Sequence, residues 1–144
     1  MKFKIDNDLI AEEFFENTRI LGIVAPVKDY IFTWTLNQRL GFNFRLNNSL
    51  EIQLLKKERN YFFPIFSYQV PGTNAEHFLY NNQHDGEFLL PEFRHLDFIW
   101  LIKDEELKPG VVQKLQESLN LLPGLQLVTE ISAEKIKHKQ HLIF

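Results

Sequence analysis

Apolar and polar positions along the chain change period several times, and each change marks an element. Phe3 and Ile5 alternate with lysines as a short opening strand, and Asn7 or Asp8 then caps one or two helical turns to about Glu16. Ile20, Leu21, Ile23 and Val24 around Gly22 read as a buried strand over 18–25, stopped by Pro26. From Pro26 to Gly41 the punctuation is helical, because proline suits a first turn and glycine the position just past the end. Ile31, Thr33 and Thr35 suggest a competing strand, which would leave that punctuation unused. The apolar residues of this helix fall on two faces: Val27, Tyr30, Ile31 and Trp34 on one, Phe32, Leu36 and Leu40 on the other. A helix of this kind needs two covers, the second from a further segment of the chain or from a second protomer.

Phe42, Phe44 and Leu46 alternate with polar residues, as do Leu50, Ile52 and Leu54, which predicts a hairpin turning at Asn47-Asn48-Ser49. Residues 61–70 are strand-like, with Pro64 placing them at an edge or a bulge, and a second hairpin is expected around His84-Asp85-Gly86. The run from Asp97 to Ile102 is apolar on both faces after its first residue and predicts a central strand. Pro109 opens a helix whose stripe is Val111, Val112, Leu115, Leu119 and Leu122, and Leu125 to Ile131 returns as a strand, so that strand, helix and strand suit a crossover. Ser132 caps one turn before Leu142-Ile143-Phe144 closes the chain as a strand. The resulting expectation is a single α+β domain over 1–144, with a largely antiparallel sheet packed by helices over about 26–40 and 109–122.

A chain of 144 residues has the size of one domain and buries roughly 70% of its extended surface. Fourteen phenylalanines, four tyrosines and two tryptophans supply the core, each ring removing about 150–250 Å² from water. The absence of cysteine excludes disulfides, thiolate metal sites and cysteine nucleophiles and fits a reducing compartment. No signal-peptide pattern follows Met1, and the longest apolar run, Phe98 to Ile102, is far below the roughly 20 residues of a membrane-spanning helix. These features predict a soluble, cytoplasmic protein without a membrane partner.

A formal charge of −3 provides no general field for phosphate backbones, despite Lys56, Lys57 and Arg59 at a predicted turn and Lys135, Lys137, His138, Lys139 and His141 near the end. Phe42, Phe44, Phe62 and Tyr68 beside Arg45 have the character of a base-stacking surface, and core filling accounts for the same rings. The histidines lack metal-ligand spacing and have lysines among them, the glycines form no phosphate loop or dinucleotide fingerprint, and no serine sits in a nucleophile elbow. No metal, cofactor or catalytic residue is assigned.

One stretch carries concentrated polarity: Leu90-Pro91-Glu92-Phe93-Arg94-His95-Leu96-Asp97-Phe98 sets two carboxylates around a proline-led loop ahead of the apolar strand. Glu92 and Asp97 stand five positions apart with His95 between them, a set able to supply an acid, a base and an orienting group. The same residues also read as structure, with Asp97 accepting loop amides as an Asx turn and Arg94 neutralising either carboxylate.

This stretch resembles the signature of the bacterial IPExxxVDY family. Pro91, Glu92 and Asp97 match, while Leu90, Leu96 and Phe98 depart. Asp29-Tyr30 through Trp34, Leu36 and Asn37 is similar to members of that family, as is the ending Ile136-Lys137-His138-Lys139 through Leu142-Ile143-Phe144. The resemblance implies no activity, substrate or cofactor. Phe98 retains a ring without a phenol donor, so a motif doing one job throughout the family would do it by packing and carboxylate-to-backbone contacts.

The favoured reading is a non-enzymatic intracellular interaction or regulatory module, homodimeric through the helix around Trp34 or bound to another protein. The alternative is a small-molecule enzyme using Glu92, His95 and Asp97. A second alternative is a nucleic-acid-binding protein.

Overall fold

A computed structural model describes residues 2–144, with burial from residue 8 onward. Helix α1 (Lys2–Phe15) is followed by β1 (Thr18–Val24), α2 (Asp29–Leu40), β2 (Arg45–Lys56), β3 (Arg59–Gln69) and β4 (Glu76–Asn81). Two short strands, β5 (Gln83–His84) and β6 (Glu87–Phe88), precede β7 (Phe98–Lys103), α3 (Val111–Leu119) and β8 (Leu127–Ile131). Six strands form one sheet in the order β2-β3-β4-β7-β1-β8, with every neighbouring pair antiparallel, and β5 pairs with β6 apart from it. The architecture is α+β.

Because each strand presents alternate residues to opposite faces, the sheet carries two apolar layers. Leu21, Ile23, Leu79, Phe98, Trp100 and Ile102 pack under Phe32 and Leu36 of α2 and Val112 and Leu119 of α3. On the other face, Ile20, Phe63, Ile65, Tyr80, Ile99 and Leu101 lie under Leu90, Leu96, Ile136 and Leu142. β7 runs between β4 and β1 and is buried from Phe98 to Ile102, as its unbroken apolar run requires. The β7–α3–β8 connection is a crossover, but β1 lies between its two strands and pairs antiparallel with both.

Three sequence expectations are corrected. The opening strand is absent: α1 absorbs it. Two alternating apolar residues do not establish a strand period, and a helix closes its own backbone hydrogen bonds whereas a strand needs an edge. The hairpin at Asn47-Asn48-Ser49 is also absent, since β2 continues through it with a register shift between Leu46 and Glu51. Asn47 stabilises that bulge locally, its Nδ2 donating to Ser67 Oγ at 3.1 Å and its Oδ1 accepting the Ser49 amide at 2.9 Å. Pro64, which has no N–H to donate, pairs with Glu51 where the register resumes. The actual turn is Lys57-Glu58, both with left-handed backbone (φ 53° and 62°).

The third correction concerns the end of the chain. Residues 142–144 form no strand, and a 3₁₀ turn over Lys139–Leu142 precedes an extended Ile143. The segment lies across the sheet face, where Leu142 is fully buried and its carbonyl accepts the Tyr80 hydroxyl at 2.7 Å. Tertiary burial supplies the partner that a further sheet edge would otherwise supply. The expected helices hold with trimmed limits, and Gly41 ends α2 with the left-handed backbone (φ 75°) that glycine adopts freely.

Candidate functional site

The polar stretch before β7 is built by a residue outside it. Asn82 is fully buried at the end of β4. Its Oδ1 accepts the Leu90 amide at 2.8 Å, and its Nδ2 donates to the carbonyls of Phe93 at 2.8 Å and Leu96 at 2.9 Å. Its backbone donates to Asp97 O and accepts from Leu89 N. One side chain therefore ties both ends of the loop to the sheet, and Pro91–Phe93 forms a 3₁₀ turn between them. Leu90 and Leu96 fill the core on either side, Leu96 against Gly22, where an added Cβ would come within 2.5 Å of the leucine Cδ1.

Asp97 extends the β1 ladder. Its backbone donates to Ile23 O at 2.7 Å, and its carboxylate Oδ2 accepts the Ala25 amide at 2.8 Å. Pro26 has ended the strand at that point, and the carboxylate replaces the missing backbone acceptor. The expected Asx turn is thus corrected: the acceptor is used across the sheet. Phe98 faces the opposite layer and stacks on Phe32 of α2, with centroids 4.6 Å apart and planes 19° apart. A phenol hydroxyl has no part in that contact.

Glu92 points elsewhere. Its two oxygens take the backbone amide and Nδ1 of His138, each at 2.8 Å, and so hold the closing segment to the loop. Burial pushes the Glu92 carboxyl up, while its own amide and the His138 amide and ring outweigh that effect and hold it below its ordinary range. His141 reinforces the clasp by donating Nδ1–H to Leu89 O at 2.7 Å. Arg94 does not neutralise either carboxylate, since its guanidinium lies 5.7 Å over the Phe88 ring. His95 is exposed beside Phe93. Glu92 and Asp97 are therefore engaged by separate partners while His95 faces solvent; Leu90, Leu96 and Phe98 are buried in the core, and Pro91 opens the 3₁₀ turn.

Replacing Glu92 by alanine leaves the His138 amide without its acceptor and loosens the closing segment. The expected loss is about 1 kcal/mol, since the partner histidine is half exposed, and the segment after Ile131 becomes easier to cleave. Thermal melting and limited proteolysis of the variant measure both effects; unchanged behaviour in both would refute the clasp.

Family models, curated proteins and solved structures were compared with the chain, and none matches. Residue chemistry and geometry therefore carry the functional reading.

The first basic cluster is paired within the chain, whereas in the second only the histidines are held and Lys135 and Lys137 stay exposed. Lys56 and Lys57 lie 3.6 and 3.5 Å from Glu87, Arg59 pairs with Asp85, and the tail histidines are held as described. Of the strand aromatics, Phe62 is 46% exposed, whereas Phe42, Phe44 and Tyr68 gather inward and pack edge-on or tilted around His77 and Trp100 with centroid separations of 5.1–6.2 Å. The inward rings form part of the core layer and offer no open stacking face. Among the described residues no group of three or more His, Asp or Glu side chains is arranged to hold a metal ion, and no helix is long and apolar enough to cross a membrane.

His77 and Asn82 are the polar residues that sequence reading missed. Both lie on or beside β4 among apolar neighbours, and Trp100 donates its indole N–H to His77 Nδ1 at 2.9 Å. The only local signal was alternation, which puts His77 on the same face as Leu79.

The two faces of α2 have different fates. Phe32 and Leu36 are buried, whereas Tyr30, Ile31 and Trp34 remain exposed, Tyr30 to 63% and Trp34 to 62%; Val27, expected on the same face, is exposed in the bend before the helix, which starts only at Asp29. The second cover expected for this helix is not supplied by the described residues.

Proposed function

We propose that the protein is a non-catalytic interaction module that pairs with a second copy of itself through α2. The observation carrying this reading is the exposed stripe of Tyr30, Ile31 and Trp34 on α2, extended by Val27 in the bend before the helix, an aromatic-rich surface outside the closed core. A two-fold axis at Trp34 makes the stripe self-complementary. Antiparallel α2 helices then set Tyr30 of one copy against exposed Gln38 of the other, so that a phenol and an amide meet at each end of the aromatic centre. The cysteine-free composition suits a reducing, cytoplasmic setting. Kinship with the IPExxxVDY proteins belongs to the same reading, with Pro91, Glu92 and Asp97 as a structural signature.

Light scattering after gel filtration tests the proposal. The wild type is expected to move toward the dimer mass as concentration rises. Trp34→Glu removes the central anchor and weakens association about 30- to 1,000-fold, the range for a buried aromatic hot spot. A wild type that stays monomeric at millimolar concentration would end the proposal.

A further inference from the structure

We infer that the cavity between the β3–β4 loop and the amino end of α3 binds a small apolar compound carrying a protonated α-amine next to a carbonyl, as at the free amino terminus of an apolar peptide or in an amino-acid amide. This site is independent of α2 and of self-association.

The cavity measures about 610 Å³, within the range of small-molecule sites. Val70, Ile102, Leu107, Val111 and Leu115 form an apolar wall. Asp104, Glu105 and Glu106 stand on its rim, and none of them forms an ion pair among the described residues. No lysine or arginine lines it. The amino end of α3 contributes about half a positive charge, which three carboxylates outnumber. The rim therefore favours a cation.

His77, only 9% exposed, supplies the second requirement. An indole N–H can only donate, so the contact with Trp100 makes Nδ1 the acceptor and leaves the proton of the neutral ring on Nε2. Nε2 has no protein partner among the described residues, yet it is not among the side-chain atoms sealed from solvent, and His77 lines the cavity. The floor thus presents one hydrogen-bond donor that a ligand's acceptor can take over from solvent.

His77 and Asp104 line the same cavity, so a single ligand that carries an acceptor for Nε2 and a cation for the rim engages both. An ammonium and a carbonyl one carbon apart meet both demands, while an apolar side chain takes the wall. A free carboxylate in the carbonyl's place would face the acidic rim and weaken binding.

The test uses the full chain with Trp34→Phe, which leaves Trp100 as the single tryptophan next to His77. Titration with phenylalaninamide is expected to change Trp100 emission saturably. N-acetyl-phenylalaninamide, which lacks the cation, and the Glu105→Gln/Glu106→Gln variant are each expected to weaken the response at least about tenfold. Because Glu105 and Glu106 are exposed, that variant retains the fold. A tripeptide amide beginning with phenylalanine distinguishes the sources: tighter binding assigns the site to a peptide terminus, equal or weaker binding to a free amino-acid amide. No saturable response, or equal binding of the acetylated compound, would overturn the inference.

Discussion

Asn82→Ala is expected to lose about 3–5 kcal/mol of stability, enough to lower the melting temperature by roughly 10 °C or more. The substitution removes a side chain with no exposed surface and strands the Leu90 amide and the Leu96 carbonyl in the core. The Phe93 carbonyl suffers less, because it also accepts the Leu96 amide at 3.0 Å. A buried orphan costs more than a hydrogen bond between exposed groups, since no water replaces the lost partner. Asn82→Asp should be nearly as damaging at neutral pH: it keeps the acceptor for Leu90, loses both donors and buries a charge. The measurement is thermal and urea unfolding of both variants beside Glu92→Ala, whose smaller loss calibrates the scale. An Asn82→Ala protein melting within about 2 °C of wild type would show that the loop holds itself.

Acidification is the second large effect, and it falls on His77. Burial, only partly opposed by Asp104, lowers the imidazole from its ordinary 6.5 to about 4. Above pH 6.5 neither folded nor unfolded chain binds the proton, so the neutral ring carries no penalty. As pH falls below 6.5 the unfolded chain takes up a proton that the folded one refuses, and stability declines by about 1.4 kcal/mol per pH unit until about pH 4. The total is about 3 kcal/mol. His141, also lowered mainly by burial, adds to the decline with the same sign, whereas Glu92, held low, contributes loss only as pH falls further through the acid range.

His77→Gln isolates the main contribution, because glutamine can accept the Trp100 N–H and does not titrate in this range. Urea unfolding at about pH 7 and about pH 4.5 should show a smaller difference in the variant than in wild type. Equal pH slopes in the two proteins would mean that His77 is protonated in the folded state.

Elements whose identity rests on local pattern were legible in advance. The helix between Pro26 and Gly41 is marked by its own punctuation, and its two apolar faces follow from a period of 3.6. The central position of β7 follows from its apolar residues alone, since only a strand covered on both faces buries every side chain. Where the outcome depended on a pairing partner, local pattern misled. Asn47-Asn48-Ser49 has turn chemistry, yet β3 pairs on both sides of it and turns it into a bulge. The final three residues have strand composition, yet Tyr80 and the sheet face receive them as a packed tail.

The polar stretch shows the same division. Its two carboxylates and proline were conspicuous, but their roles depend on residues 46 and 72 positions away, His138 for Glu92 and Ala25 for Asp97. Asn82, the residue that organises the loop, has no local feature separating it from a solvated asparagine. The rim acids Asp104, Glu105 and Glu106 likewise read as a solvated run until β4 brings His77 beneath them.

By itself, then, the sequence determined the class of the fold, most of its helices and strands, the split character of α2 and the lack of cysteine chemistry, because these depend on side-chain type and spacing over a few residues. Tertiary structure alone decided that β1 inserts between β7 and β8, that the two carboxylates part company, and that a buried histidine faces a cavity with an acidic rim. The physical reason is that a period is a local property, whereas a hydrogen-bond partner is selected from the whole chain by whatever burial brings within 3 Å.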